Sequence, residues 1–174
     1  FRRVLFRSPL EFPQLFGLDP KKTDGNATVH VDLAFPLADD LTTDKVKADV
    51  TAKITNGTFP TIFDNTNLTK GNLDLSVNNE RLSLAGTGEM MGLPLTLKWT
   101  ESFTAQKPAD IQSSYEISSD ITDDRLSDAF PQTTGYMTGI AHLTGDIKTT
   151  LNEVTTGVIS VDFKKAFLNI YPLS

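Results

Sequence analysis

The sequence predicts a mainly β fold, an antiparallel meander with one short helix. Three observations point there. Apolar residues recur at every second position in run after run, which places them on one face of an extended strand. Turn-forming residues separate the runs at short intervals. Helix start and stop signals coincide only once, near residue 122.

Length and composition bound the rest. The chain has 174 residues, 39% of them hydrophobic and 22% charged, a folding composition with room for one sizeable core. A net charge of −6 leaves no basic stripe to displace counterions, which excludes a nucleic-acid backbone as partner. The absence of cysteine removes disulfides and thiolate metal sites and decides nothing about compartment. No uninterrupted apolar run approaches the ~20 residues that span a bilayer as a helix.

Taken in order, Phe1 to Ser8 (FRRVLFRS) is basic and apolar without either periodicity and lacks a signal-peptide cleavage site. These residues resemble sequencing-adapter read-through, so residues 1–8 are expected to be non-native and 9–174 to be part of one β domain. Leu10 to Pro20 is a proline-punctuated connector. Ala27, Val29, Val31, Leu33 and Phe35 then alternate with polar residues up to Pro36, and Val46, Ala48, Val50, Ala52 and Ile54 do so over ten residues. The stretch from Asn56 to Lys70 reads as a loop without a firm assignment.

Gly71 to Thr100 holds three strands in immediate succession. Leu73, Leu75 and Val77 form the first, Leu82 and Leu84 the second, and Leu93, Leu95, Leu97 and Trp99 the third. Asn78-Asn79, where positive φ costs little, is expected to make the first turn, and Gly88 to Gly92 a looser second one. Beyond a polar link containing Pro108, Tyr115, Ile117 and Ile121 alternate. Thr122 or Asp123 then caps a helix with acids in its first turn, a Leu126/Phe130 apolar pair and Pro131 as the stop. Strands resume over Gly135 to Leu143, Ile147 to Leu151, and Val158 to Phe163 with its continuation through Ile170. About nine strands are expected in all. The last residues, AFLNIYPLS, stop inside an apolar pattern, so the chain is expected to be a fragment truncated at its C-terminus.

Catalytic chemistry is hard to find. His30 and His142, the two histidines, sit on strands with no second histidine or carboxylate at ligand spacing, and are read as outward-facing. There is no nucleophile elbow, Walker loop or HExxH. Gly86-Thr87-Gly88 through Gly92 suggests a dinucleotide loop, but the third glycine comes one position late and a strand follows, so the phosphate would have no helix N-terminus. Asp39-Asp40 and Asp123-Asp124 could serve a glycosidase or a calcium site, yet both fall where a turn or a cap calls for acids. Three Asn-X-Thr sequons, at Asn26, Asn56 and Asn67, are unremarkable in so Asn/Thr-rich a chain. The expectation is a non-enzyme without cofactor or metal; a glycan-active enzyme using the aspartate pairs is the residual catalytic alternative.

What remains is the apolar face. With almost no helix to cover it, either a second sheet or closed barrel packs on it, or it stays open to something apolar. Alternation cannot choose between the two.

Gly17-Leu-Asp-Pro, the strand ending Phe35-Pro36-Leu37, the order Leu68-Thr-Lys-Gly-Asn-Leu-Asp-Leu, Leu84-Ala-Gly-Thr-Gly, Gly92-Leu-Pro-Leu-Thr-Leu-Lys-Trp, and Val161-Asp-Phe-Lys-Lys-Ala-Phe-Leu-Asn-Ile-Tyr-Pro together resemble the AsmA-like proteins of Gram-negative envelopes. The closer likeness is to their YhdP-type central region, over roughly Leu15 to Leu173. Each motif is poor in information; their order carries the likeness. The resemblance implies a curved, groove-like sheet that conducts phospholipid acyl chains between inner and outer membranes. It also implies a periplasmic setting, anchored to the inner membrane through a segment outside this chain. The family has no catalytic motif to transfer. On this reading Val29, Val31, Leu33, Val50, Ile54, Leu73, Leu75, Leu82, Leu84, Leu95 and Leu97 contact lipid. The alternative is a structural or assembly module for outer-membrane biogenesis, with the same face sealed. Exposing two sixteen-carbon chains to water would cost roughly 25 kcal/mol at ~0.8 kcal/mol per methylene, so an apolar path has a large effect to offset. A ten-residue strand, about 33 Å long, is wide enough to curl around acyl chains.

Overall fold

A computed structural model of the chain describes residues 23–37, 45–63 and 66–168. It is a single antiparallel sheet of eight strands in sequence order. The strands are β1 (Asp24–Ala34), β2 (Lys47–Phe63), β3 (Thr66–Val77), β4 (Arg81–Met90), β5 (Leu93–Ser102), β6 (Ile111–Thr122), β7 (Met137–Thr150) and β8 (Thr155–Leu168). One helix, α1 (Asp123–Ala129), and a 3₁₀ turn at Pro131–Thr133 join β6 to β7. Among the described residues β1 pairs only with β2 and β8 only with β7, so the sheet does not close into a barrel. The residues ahead of Thr23, the Asp39-Asp40 pair and the tail from Asn169 onward lie outside the described residues.

Strand count and turns differ from the sequence expectation in four places. Residues 56–63 and 66–70, expected within a loop, are instead the bulged ends of β2 and β3. Register slips there three times along β2 and once more on the β3–β4 side, and Asn56 (φ 52°) and Lys70 (φ 51°) are left-handed. Bulges break strict alternation, which is why the period-two signal fades. Gly57 pairs with Gly71 at this bend. A Cβ on Gly57 would lie 2.6 Å from the Phe59 ring, so the glycine lets that ring lie over the backbone.

The expected strands Gly135–Leu143 and Ile147–Leu151 are one strand, β7, because Gly145 keeps its ladder partners on both sides, Ile117 and Ile159. The β4–β5 turn is tighter than expected: β4 continues through Gly88, and only Met91 (φ 54°) and Gly92 (φ 78°) form the link.

The β3–β4 hairpin falls at Asn78-Asn79 as expected, but without positive φ. The Asn78 side chain closes it instead, its Oδ1 accepting the Glu80 and Arg81 N–H groups at 2.9 Å each. Asn79 turns outward to β2. Its Oδ1 accepts from Ala48 N, and its Nδ2 donates to Val46 O, both at 2.8 Å.

Helix α1 follows its sequence signals. Thr122 is the N-cap, its hydroxyl accepting from Arg125 N at 3.4 Å, with Asp123 and Asp124 in the first turn. Phe130 closes the helix on Leu126 O. Glu89 ties the helix end to the sheet, 2.8 Å from Lys70 Nζ and 3.9 Å from Arg125 Nη1.

Candidate functional site

Cross-strand partners put most apolar residues of the strands on one face. One row reads Val29, Ala52, Leu75, Leu84, Trp99, Tyr115, Ile147 and Gly157 from β1 to β8; its neighbour reads Ala27, Ile54, Leu73, Gly86, Leu97, Ile117, Gly145 and Ile159. All eleven residues proposed for lipid contact lie on this face, and the structure divides them by depth.

Leu73, Leu82, Leu84, Leu95 and Leu97 are buried in one cluster with Leu68. Ile54 and Leu75 are half-buried against it, and Val50 is half-buried farther along β2. Val29, Val31 and Leu33, on β1, are more than half exposed, at 56%, 51% and 60%. The far edge repeats this: Ile159, Val161 and Phe163 on β8 stand open on the same face, Ile159 at 69%. Sequence reading placed that strand but left its residues out of the site. Val158 and Ile159 are both apolar and neighbours, so the phase was ambiguous there. Opposite Gly145, Ile159 belongs to the apolar face, and Val158, opposite Asp146, to the polar one.

Close backbone approach helps the centre seal. A Cβ on Gly86 would come within 2.1 Å of Asn72 O, and one on Gly88 within 2.8 Å of the Leu68 side chain. These glycines, which superficially suggested a dinucleotide loop, lie inside β4 and serve strand packing.

One row of the apolar face turns polar. Leu82 on β4 is followed by Glu101, Ser113, Thr149 and Thr155 on β5 to β8. The Ser113 hydroxyl donates to Glu101 Oε2, and Trp99 Nε1 donates to the same oxygen at 3.4 Å. The rings of Trp99 and Tyr115 stack 5.8 Å apart at 13°. Burial, and then the charge of Glu101, push the Tyr115 hydroxyl above its ordinary pKa, against a smaller opposing effect of its hydrogen bond with Ser113.

The opposite face is hydrophilic. Thr51, Ser76, Ser83, Thr100 and Ser114 form one of its rows, and Lys98 pairs with Glu116 at 3.2 Å. Two open depressions, of about 440 and 520 Å³, are lined chiefly by residues of this face. The apolar face therefore offers strips of side chain rather than either of these hollows.

Both histidines do meet carboxylates, contrary to the sequence expectation. His30 Nε2 lies 3.1 Å from Asp32 Oδ2, two residues along β1, and His142 Nδ1 lies 2.6 Å from Asp120 Oδ1 on the paired strand β6. Period two and cross-strand register bring these groups together, and register cannot be read from spacing alone. Among the described residues no cluster of three or more His, Asp and Glu side chains could hold a metal ion. Among the same residues no helix is long and apolar enough to cross a membrane.

No family model, no curated protein and no solved structure matches the chain.

Proposed function

We propose that this chain is a non-catalytic segment of lipid-conducting wall, whose apolar face carries phospholipid acyl chains. One observation carries the reading: on a sheet that does not close, the described apolar side chains of both edge strands stand exposed on the same face. Uncovered apolar side chains in a contiguous strip mark a surface that meets something apolar. The strip on β8 runs along the strand, the direction an extended acyl chain would follow. The envelope setting and passage between two membranes rest on the AsmA-like resemblance alone.

A second reading has its own observation. The leucine cluster of β3 to β5 is already sealed, as in a structural module, and another protein could cover the edges. Photo-crosslinking side chains at Val31 and Ile159 separate the two, with Leu97 as the buried control. Phospholipid captured at both edge positions and not at Leu97 is the expected result. Capture of protein only at the edges would overturn lipid conduction and leave the assembly module.

A further inference from the structure

We infer that the outer edge of β1 is an interface where a second copy of this chain pairs, strand to strand, antiparallel and centred on Val31. The inference goes beyond the acyl-chain reading and does not depend on it.

A sheet edge presents a row of backbone N–H and C=O groups ready to pair with another strand, and proteins commonly blunt it with lysines, prolines or bulges. β1 carries no lysine or proline along Asp24–Ala34, and all eleven of its residues are exposed. Its interruptions lie at its two ends. The register slips between Asp24 and Asn26, and Pro36, which has no N–H to give, follows Phe35. Between them run residues 27–35, whose midpoint is Val31.

Turned antiparallel about that midpoint, the stretch is its own complement. Val29 faces Leu33 of the second copy, Val31 faces its counterpart, and His30 faces Asp32. Asn26, beside the slip, falls opposite Pro36, so the interruptions of the two copies coincide. A two-fold axis perpendicular to the sheet relates the copies, as in an isologous dimer, and leaves both apolar faces on the same side. Opposite side chains in such a pair have Cβ atoms about 4.5–5.5 Å apart. Apolar groups therefore meet on one face, and imidazole meets carboxylate on the other.

The charges select this register. Within its own sheet Asp32 lies opposite Asp49 of β2, a like-charged pair that is unfavourable. The second copy brings an imidazole to its other side, in addition to its own His30, whose Nε2 is 3.1 Å from Asp32 Oδ2. Sliding one copy by one residue would set apolar side chains against polar ones. Sliding it by two restores the faces but sets Asp32 against Asp32, or His30 against His30. Pairing takes up the backbone edge alone, so the apolar face stays open.

The chain has no cysteine, so one introduced thiol reports the register. Opposite residues of an antiparallel pair have Cα atoms about 4.5–5.5 Å apart, inside the range of about 4.4–6.8 Å that a disulfide bridges. Val31→Cys in the full chain should therefore oxidise to a covalent dimer. Val29→Cys and Leu33→Cys should each stay uncross-linked alone, their thiols lying about 14 Å from their own counterparts along the strands, and should cross-link when mixed. Sedimentation of the parent chain should show a monomer–dimer equilibrium with a dissociation constant on the order of 10 µM, the weak end expected of so small an interface. His30→Asp should weaken it about tenfold by setting like charges opposite each other twice, and adding Asp32→Lys should restore it. A parent chain that stays monomeric well above that constant would overturn the interface. So would Val29→Cys cross-linking to itself as readily as Val31→Cys, or assembly beyond two copies, as stacking of β1 on β8 would give. Should His30→Asp fail to fold, the cysteine variants decide.

Discussion

The middle of the sheet and its edges carry the same alternating pattern on the same face, and end in opposite states. Leu97 on β5 is 2% exposed, while Ile159, in the same cross-strand row, is 69% exposed. The difference is the neighbourhood. Leu97 has strands on both sides and packs into the cluster with Leu68, Leu73, Leu82, Leu84 and Leu95, whereas Ile159 has a paired strand on one side only. Alternation reports which face a side chain takes, and position in the strand order decides whether that face is closed. The centre is therefore stability and the edges are surface, within one continuous stripe.

The largest test of that division is truncation at its two extremes. Leu97→Ala removes side-chain volume from a closed cluster and should cost about 2–5 kcal/mol, measured as a lowered midpoint in urea. Val31→Ala, on the same face at β1, should change stability by about 0.5 kcal/mol or less. Equal losses at the two sites would mean that β1 is as closed as β5 and would remove the basis for an open strip.

The same division explains what the sequence could and could not say. The strands from Leu73 to Trp99 were legible because each has one consistently apolar face and short polar turns. The bend between β2 and β3 was not, because Asn56 and Lys70 take left-handed backbone and slip the register that alternation depends on. The Asn78 turn was located correctly but works through side-chain acceptance at Glu80 and Arg81 rather than through positive φ. The eleven candidate residues share a face, as periodicity required. Their split into buried, half-buried and exposed groups depends on strand order, which no local pattern contains. Glu101 was invisible for a related reason: its meaning comes from lying opposite Leu82 and Ser113, two contacts set by register.

Two glycines in one row sharpen the comparison at the next scale. A Cβ on Gly86 would meet Asn72 O at 2.1 Å, a backbone atom that cannot move aside cheaply. Gly86→Ala should therefore destabilise by about 1–3 kcal/mol, as overpacking does. Gly145, three strands along, would bring its new methyl to 3.9 Å from Ile117 and 4.0 Å from Ile159, ordinary van der Waals contact. Gly145→Ala should be near neutral, within about 0.5 kcal/mol. Thermal melting of the two variants under one set of conditions checks this. A Gly145→Ala loss matching that of Gly86→Ala would show that β7 is packed as tightly as β4.

The smallest expected effect lies at the border between the two regions, on β6. Tyr115 is half-buried, and both its burial and the charge of Glu101 raise its pKa above the ordinary value near 10. A raised folded-state pKa means that the folded chain holds the phenolic proton at a pH where the unfolded chain has begun to lose it. The contribution to stability is thus complete below the unfolded value and declines as pH climbs through the folded one. Stability should hold level from neutral pH to about 10 as far as this residue is concerned, then fall. Tyr115→Phe should flatten that alkaline fall, and Glu101→Gln should reduce it by removing the second cause while leaving the first. Denaturant midpoints for the three chains between neutral and strongly alkaline pH, with the tyrosine absorbance change followed in parallel, test the ordering. If Glu101→Gln left the alkaline profile unchanged, the carboxylate would not be acting on the Tyr115 ring.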